Sequence, residues 1–167
     1  MPLIGIVGKI GVGKTTIANL LVEECGFKKI AFADALKRML IEAGMVTEDE
    51  VYKEKTELSR WLLQKVGTDI FRNQVDQFYW VDKMKDYLVN NYIDKNAFIV
   101  VDDVRFEDEA ILIKRFGGSL LRITRDSNII NNHESEIEQD RIECDFTIGN
   151  YGTIQELKNI FKLNYIV

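Results

Sequence analysis

Residues Gly8 to Thr15 read G-K-I-G-V-G-K-T, a full match to the phosphate-binding pattern G-x-x-x-x-G-K-[ST]. Gly8, Gly11 and Gly13 let successive backbone N–H groups point into one concavity, and all three are read as ATP-binding. Lys14 has the reach for the β- and γ-phosphates of a nucleoside triphosphate, and the Thr15 hydroxyl is a ligand for Mg²⁺. Val12 and Thr16 belong to the same ATP-binding stretch. A second group follows the apolar run Phe98-Ile99-Val100-Val101, where Asp102 and Asp103 stand side by side. A carboxylate here could hold Mg²⁺ directly or through water, and spacing alone does not choose between the two.

Further polar groups are arranged at helical spacing. Arg60 and Gln64 are four apart and share a face opposite Trp61 and Leu62. Gly67, Thr68, Asp69 and Arg72 extend that line past a glycine break, and Asp34, Lys37 and Arg38 form another cluster. By spacing alone each cluster reads first as a solvated helix face. Arg125 stands where a strand gives way to a polar segment, a place suited to an arginine that closes over the transferring phosphoryl group. Arg122 and Arg141 are weaker candidates for that task. His133 is the only histidine, and a lone loop histidine is ordinarily solvated.

The elements that must position these groups follow from periodicity. Leu3–Val7 reads as a buried strand before the loop, and Ile17, Ala18, Leu20 and Leu21 give the following helix an apolar face. Residues 28–32 read as a second strand and 33–43 as a helix ended by Gly44. Residues 47–72 read as an interrupted helix with Leu58, Trp61, Leu62 and Val66 on one face, and 76–92 as another. Strands are expected at 97–101, 119–124 and 146–148. A helix at 106–116 carries three acidic residues in its first turn, as the helix dipole favours, and Gly117-Gly118 stops it. Residues 126–141 are polar and irregular with few anchors, as a lid would be, and Thr153 to Glu156 is a capping box opening the last helix. Alternating strands and helices imply a five-stranded parallel sheet in a three-layer α/β/α fold. Ligands in such sheets bind at the carboxyl ends of strands. The loop 8–15, the turn 32–34, Asp102 to Arg105 and the segment after Thr124 are therefore expected around one cleft. The expected organisation is a single domain with a helical acceptor-binding region at about 33–93 and a lid at about 126–143.

The 167 residues suit one domain with a real core. A net charge of −5 argues against a general nucleic-acid surface, so phosphate must be held by local cations. Apolar runs are only strand-length, no signal peptide is evident, and Cys25 and Cys144 read as reduced thiols. A cytoplasmic protein without membrane partners is the expectation. Trp61, Trp80 and Phe78 read as core by default, with a homodimer surface as the alternative. No Asn-Lys-x-Asp guanine-reading tetrapeptide occurs, and the chain is short for a motor with coupled domains. A small-molecule kinase is the strongest class left.

Five segments of the chain resemble the bacteriophage deoxynucleoside monophosphate kinase family, of the adenylate-kinase-like P-loop group. They are Phe32-Ala-Asp-Ala-Leu-Lys37, Leu63-Gln-Lys-Val-Gly-Thr-Asp-Ile-Phe-Arg72, Val101-Asp-Asp-Val-Arg-Phe-Glu107, His133-Glu-Ser-Glu136 and Asp145-Phe-Thr-Ile-Gly-Asn-Tyr-Gly-Thr153. The Gln-x-x-Gly-Thr-Asp and Asp-Val-Arg-Phe elements are far more specific than the phosphate loop. Many relatives carry Lys-Asp-Thr where this chain has Lys14-Thr15-Thr16. That departure leaves phosphate binding intact but bears on how the metal is held.

The resemblance implies phosphoryl transfer from ATP to a deoxynucleoside monophosphate, giving ADP and the diphosphate. It assigns Arg60, Gln64, Gly67, Thr68, Asp69 and Arg72, with Asp34, Lys37, Arg38 and Trp80, to the acceptor. It makes Asp103 the better metal match than Asp102. It brings Arg105 toward the acceptor phosphate, as a catalytic partner of Lys14 and Arg125. It sets Asn150 and Gly152 against the adenine, where an ordinary strand-to-helix turn is the competing reading. It also favours a lid or substrate contact for His133, Glu134 and Glu136. The acceptor phosphate has a second pKa of about 6, so its attacking oxygen is mostly ionised at neutral pH and no general base is required. Alternatives are a kinase of another small molecule such as dephospho-coenzyme A, where an alcohol acceptor would need a base, and an ATP-binding module without turnover.

Overall fold

In the computed structural model, which describes residues 3–92, 97–125, 133–153 and 155–156, the chain divides into two compact units. One comprises residues 1–30 and 91–167, the other residues 31–90.

The first unit is built on a five-stranded parallel sheet: β1 (Leu3–Val7), β2 (Lys28–Ile30), β3 (Ile99–Val104), β4 (Ser119–Thr124) and β5 (Phe146–Gly149). The strand order is β2-β3-β1-β4-β5. The central strands are continuous apolar runs because both of their faces are covered. Ile6, Val7, Ile99, Val100 and Val101 are fully buried. Helix α1 (Lys14–Cys25) lays Ile17, Ala18, Leu20 and Leu21 onto this sheet and stops at Gly26, where a φ of 70° suits glycine. The pairing sets Val7 beside Val104 on one side and Arg122 on the other. The loop after β1 therefore emerges between the carboxyl ends of β3 and β4. β2 is two residues shorter than its pattern suggests, because the Asp34 carboxylate takes the Ala31 N–H at 2.8 Å and turns the chain.

The second unit contains α2 (Asp34–Glu42), α3 (Glu48–Tyr52), α4 (Glu57–Gln64), a π-helix (Lys65–Val75) and most of α5 (Tyr79–Asn91). Thr47 and Thr56 cap α3 and α4. Leu36, Leu40, Val46, Val51, Leu62 and Trp80 form its core. Two expectations fail here. The inward stripe of α4 is Ser59 and Leu62, not Leu58 and Trp61, which are 55% and 57% exposed. A serine can take an inward position because its Oγ donates to Glu50 O at 2.8 Å and Thr56 O at 3.0 Å. Phe78 is exposed as well, so of the three aromatics read as core only Trp80 is buried. Nor does Gly67 break the helix. It lies within the π-helix, where a Cβ would come 2.7 Å from Leu36 Cδ2. The residue is small for close packing, not for a turn.

Back in the first unit, α6 (Glu107–Arg115) has the acidic first turn expected of it and carries Lys114 and Arg115 in its last turn. The Thr153–Glu156 capping box is formed, and of the helix it opens only 155–156 belong to the described residues. The polar segment expected at 126–141 is not uniformly irregular. Residues 126–132 lie outside the described set, but 133–141 form α7 (Glu134–Ile137) and a 3₁₀ turn (Glu138–Arg141). Ser135, Glu136, Gln139 and Ile142 are buried. Arg122 donates to Gln139 O at 3.0 Å and Ile142 O at 2.6 Å, tying the turn to β4. This gives Arg122 a framework task in place of the lid role entertained for it, and Arg141 pairs with Glu138 at 2.7 Å.

Candidate functional site

The site is built from the loop 8–15 and the strand ends around it. The backbone at Gly13 has φ 100°, a conformation that favours glycine, and a Cβ there would collide with the Asn150 amide. At Gly8 a Cβ would lie 2.6 Å from Ile123 O. The loop can follow this path only with glycine at both positions. Gly11 differs from these two. It is exposed and has φ 82°, so glycine there serves the left-handed turn of the backbone. Val12 departs from a direct ATP contact by its side chain, which it buries in the sheet core, leaving its backbone to the loop. Thr16 is exposed in the first turn of α1.

Lys14 is wrapped by the loop itself. Its Nζ donates to Gly8 O and, at 2.8 Å, to Lys9 O. Burial, and then the Arg105 guanidinium, push its pKa down from the ordinary lysine value to about 8, against the opposing pull of Glu136, Asp102 and Asp103. The Thr15 hydroxyl donates to Asp102 Oδ2 at 3.1 Å. Resemblance favours Asp103 for the metal, but it is Asp102 that meets the loop hydroxyl. Asp103 is instead a neighbour of Glu109, whose pKa is raised to about 8 by burial first and by Asp103 next. Glu109 Oε2 in turn accepts from the Arg105 N–H at 2.7 Å and the Phe106 N–H at 3.1 Å, so it shapes the turn that carries Arg105.

Arg105 Nη1 donates to Glu136 Oε1 at 2.5 Å and Ser135 Oγ at 3.3 Å. The other oxygen of Glu136 accepts from the Ile10 N–H at 2.9 Å and Gln139 Nε2 at 3.0 Å. Lys9 pairs with Asp140 at 2.6 Å. The segment expected to be a weakly anchored lid is, over 133–141, docked on the phosphate loop. His133 is its N-cap: Nδ1 accepts from Ser135 N at 3.2 Å, which leaves the ring proton on Nε2 in the neutral form. Glu134 is exposed in the first turn. Arg125 is exposed at the end of β4.

Asn150, expected against the adenine, is buried beside the loop. It is 6% exposed and its Nδ2 donates to Val12 O at 2.8 Å, under the loop. Its amide thus ties the end of β5 to the loop. Gly152 is exposed beside the capping box, and its neighbour Tyr151 is also exposed.

Apart from Arg105, the expected acceptor residues lie in the second unit. Asp34 pairs with Lys37 at 2.9 Å, and the Lys37 ammonium sits 4.6 Å from the Tyr52 ring centroid. Arg38 and Arg60 are exposed. Asp69 pairs with Lys65 at 2.9 Å, and Arg72 Nη1 donates to Gln77 O at 3.1 Å. Gln64 is half-buried at the end of α4, and Thr68 is buried. Trp80 is a core residue whose Nε1 donates to Gly67 O at 2.8 Å, so both act as framework for the π-helix. Sequence reasoning missed Ser135, Gln139, Asp140 and Glu109 as parts of the site. Glu109 was visible only as a first-turn acid, and nothing in the pattern marked Gln139 as fully buried.

Residues 44–161 match the sequence profile of a family described as deoxynucleotide monophosphate kinase. A protein of Acanthamoeba polyphaga mimivirus, assigned as a deoxynucleotide monophosphate kinase, is 33% identical over 183 residues, covering 93% of this chain and 92% of its own. The deoxynucleotide monophosphate kinase of Enterobacteria phage T4 is 29% identical over 110 residues, covering 62% of this chain and 45% of its own. Among solved structures, shikimate kinase from Aquifex aeolicus superposes with a TM-score of 0.54 at 12% identity, over 96% of this chain and 94% of its own. At that identity the likeness concerns the fold alone.

Proposed function

The chain belongs to the deoxynucleotide monophosphate kinase family, and we propose that its phosphate loop holds the ATP that phosphorylates a deoxynucleoside monophosphate carried by residues of the second unit. The observation that carries the donor half is the loop geometry. Its glycines at 8 and 13 admit no side chain, and a partly buried lysine and a threonine–aspartate pair stand at its end.

Phosphoryl transfer forms a bond between an acceptor phosphate oxygen and the γ-phosphorus of ATP. The bond from that phosphorus to the β–γ bridging oxygen breaks, and ADP leaves. The acceptor oxygen is already ionised near neutral pH, with a pKa of about 6, so no residue need act as a base. Alignment and charge neutralisation remain. Backbone N–H groups of the loop and the positive end of α1 bind the phosphates. Lys14 gives up its contacts with Gly8 O and Lys9 O to reach them. Arg105 and Arg125 neutralise charge on the acceptor and transferring groups, and Arg60, Arg72, Gln64 and Asp69 hold the acceptor nucleotide. A hydroxyl and a carboxylate 3.1 Å apart form a hard-oxygen set suited to Mg²⁺. Thr15 and Asp102 would hold it, with Asp103 beside them, and the ion would neutralise charge on the β- and γ-phosphates. Few protein ligands are needed, since Mg²⁺ keeps several waters and takes phosphate oxygens.

The test is coupled ADP release with ATP and Mg²⁺ against a panel of nucleoside monophosphates and dephospho-coenzyme A. Stimulation by at least one deoxynucleoside monophosphate is expected. Stimulation by none of them sinks the reading. Release driven by dephospho-coenzyme A alone would identify a kinase with an alcohol acceptor.

A further inference from the structure

We propose that Glu136 is a positioning residue that fixes Arg105 beside the phosphate loop in one geometry. The inference rests on the reading of Arg105 as a group that meets the transferring or acceptor phosphate.

A carboxylate is an unexpected neighbour for an anion-binding loop. Glu136 is nevertheless only 2% exposed, and it sits against Ile10 of that loop. Burying a charge is costly unless it is paired and hydrogen-bonded. Both of its oxygens are used. Oε1 takes Arg105 Nη1 at 2.5 Å, and Oε2 takes the Ile10 N–H at 2.9 Å and Gln139 Nε2 at 3.0 Å. Three stretches of chain meet on one carboxyl group: the loop after β1, the turn after β3 and the 3₁₀ turn after α7. Ser135 Oγ adds a second contact to Arg105 Nη1, and Arg122 anchors the 3₁₀ turn from β4. The Lys9–Asp140 pair repeats the link at the surface, where an exposed pair contributes little. A guanidinium held on one side by a buried carboxylate keeps its remaining N–H groups in a fixed direction. It carries them without the rotamer freedom of a long exposed side chain.

A double-mutant cycle tests this on the full chain with ATP, Mg²⁺ and the best deoxynucleoside monophosphate. Glu136→Gln keeps the size but turns one acceptor into a donor. In the otherwise unaltered chain it should lower kcat by about tenfold or more. In an Arg105→Ala background it should cost less than about threefold, because the group it positions is gone. A general loss of structure would cost the same factor in both. Equal losses in the two backgrounds, or no loss in the first, overturn the proposal. Where Glu136→Gln does not fold by circular dichroism, Glu136→Asp takes its place, since it keeps the charge and withdraws it by one methylene. An independent readout needs no variant. The side-chain ¹⁵N–¹H resonances of Arg105 in the nucleotide-free protein should report hindered rotation, and free averaging would count against the contact. Inactivity of the unaltered chain toward all deoxynucleoside monophosphates would instead defeat the reading of function. Full activity of Arg105→Ala would remove Arg105 from the mechanism, and Glu136 with it.

Discussion

Lys14 shows how one residue's task depends on what surrounds it. The loop motif names it, but only the fold shows its ammonium desolvated on Gly8 O and Lys9 O, with a pKa of about 8. A lysine with a lowered pKa is charged below that value and loses its charge above it. kcat/KM for ATP should therefore fall on the alkaline side with a midpoint near 8. kcat should hold to higher pH, because bound phosphates favour the charged form. A pH profile with no alkaline limb below about 10 would contradict this. Lys14→Ala should abolish turnover while circular dichroism stays unchanged, and retained activity would refute its role. The aspartates make the complementary case. Their spacing is symmetrical, whereas the Thr15 hydroxyl donates to Asp102, which makes Asp102 the proposed partner of the metal. Asp102→Asn should raise the Mg²⁺ concentration needed for half-maximal rate by about tenfold or more, and Asp103→Asn by clearly less. The reverse order would restore Asp103 as the metal's partner.

Elements carry constraints that single residues do not reveal. The loop is shaped from below by Asn150, at the end of β5, and from the side by the segment 133–141. Asn150→Ala removes the donor to a buried Val12 carbonyl, which should destabilise the fold by about 1–3 kcal/mol. It should also raise the KM for ATP while the acceptor KM stays unchanged. Thermal unfolding together with the two KM values would check this, and a shift in acceptor KM alone would contradict it. The strands were legible in the sequence because a buried parallel strand is a short apolar run between turn signals, and β1, β3 and β4 are such runs. The π-helix was not legible. Its i→i+5 bonding leaves no distinct apolar period, and its glycine has the composition of a break. The inward Ser59 was hidden for a related reason, since an apolar pattern cannot count a hydroxyl satisfied by backbone oxygens.

At the scale of the whole molecule, the proposed donor and acceptor residues fall in different stretches of the chain. The donor residues and Arg105 lie in the unit that carries the sheet, and the other proposed acceptor residues lie within residues 31–90. Arg72→Ala should raise the acceptor KM by about tenfold or more and leave the ATP KM nearly unchanged. A change in the ATP KM alone would mean that the acceptor residues have been misplaced. Among the described residues no helix is long and apolar enough to cross a membrane. Taken alone, the sequence determined the phosphate loop, the parallel α/β sheet and the kinase family, because these are written in local terms: glycine spacing, apolar runs, and short motifs with little freedom to vary. Only the tertiary structure decided which aspartate meets Thr15, that Asn150 donates to Val12 O and Trp80 to Gly67 O, and that Glu136 meets both Arg105 and Ile10, the latter 126 residues away in the chain. Those pairings depend on burial and on partners brought together by folding, and no spacing along the chain encodes the distance between them.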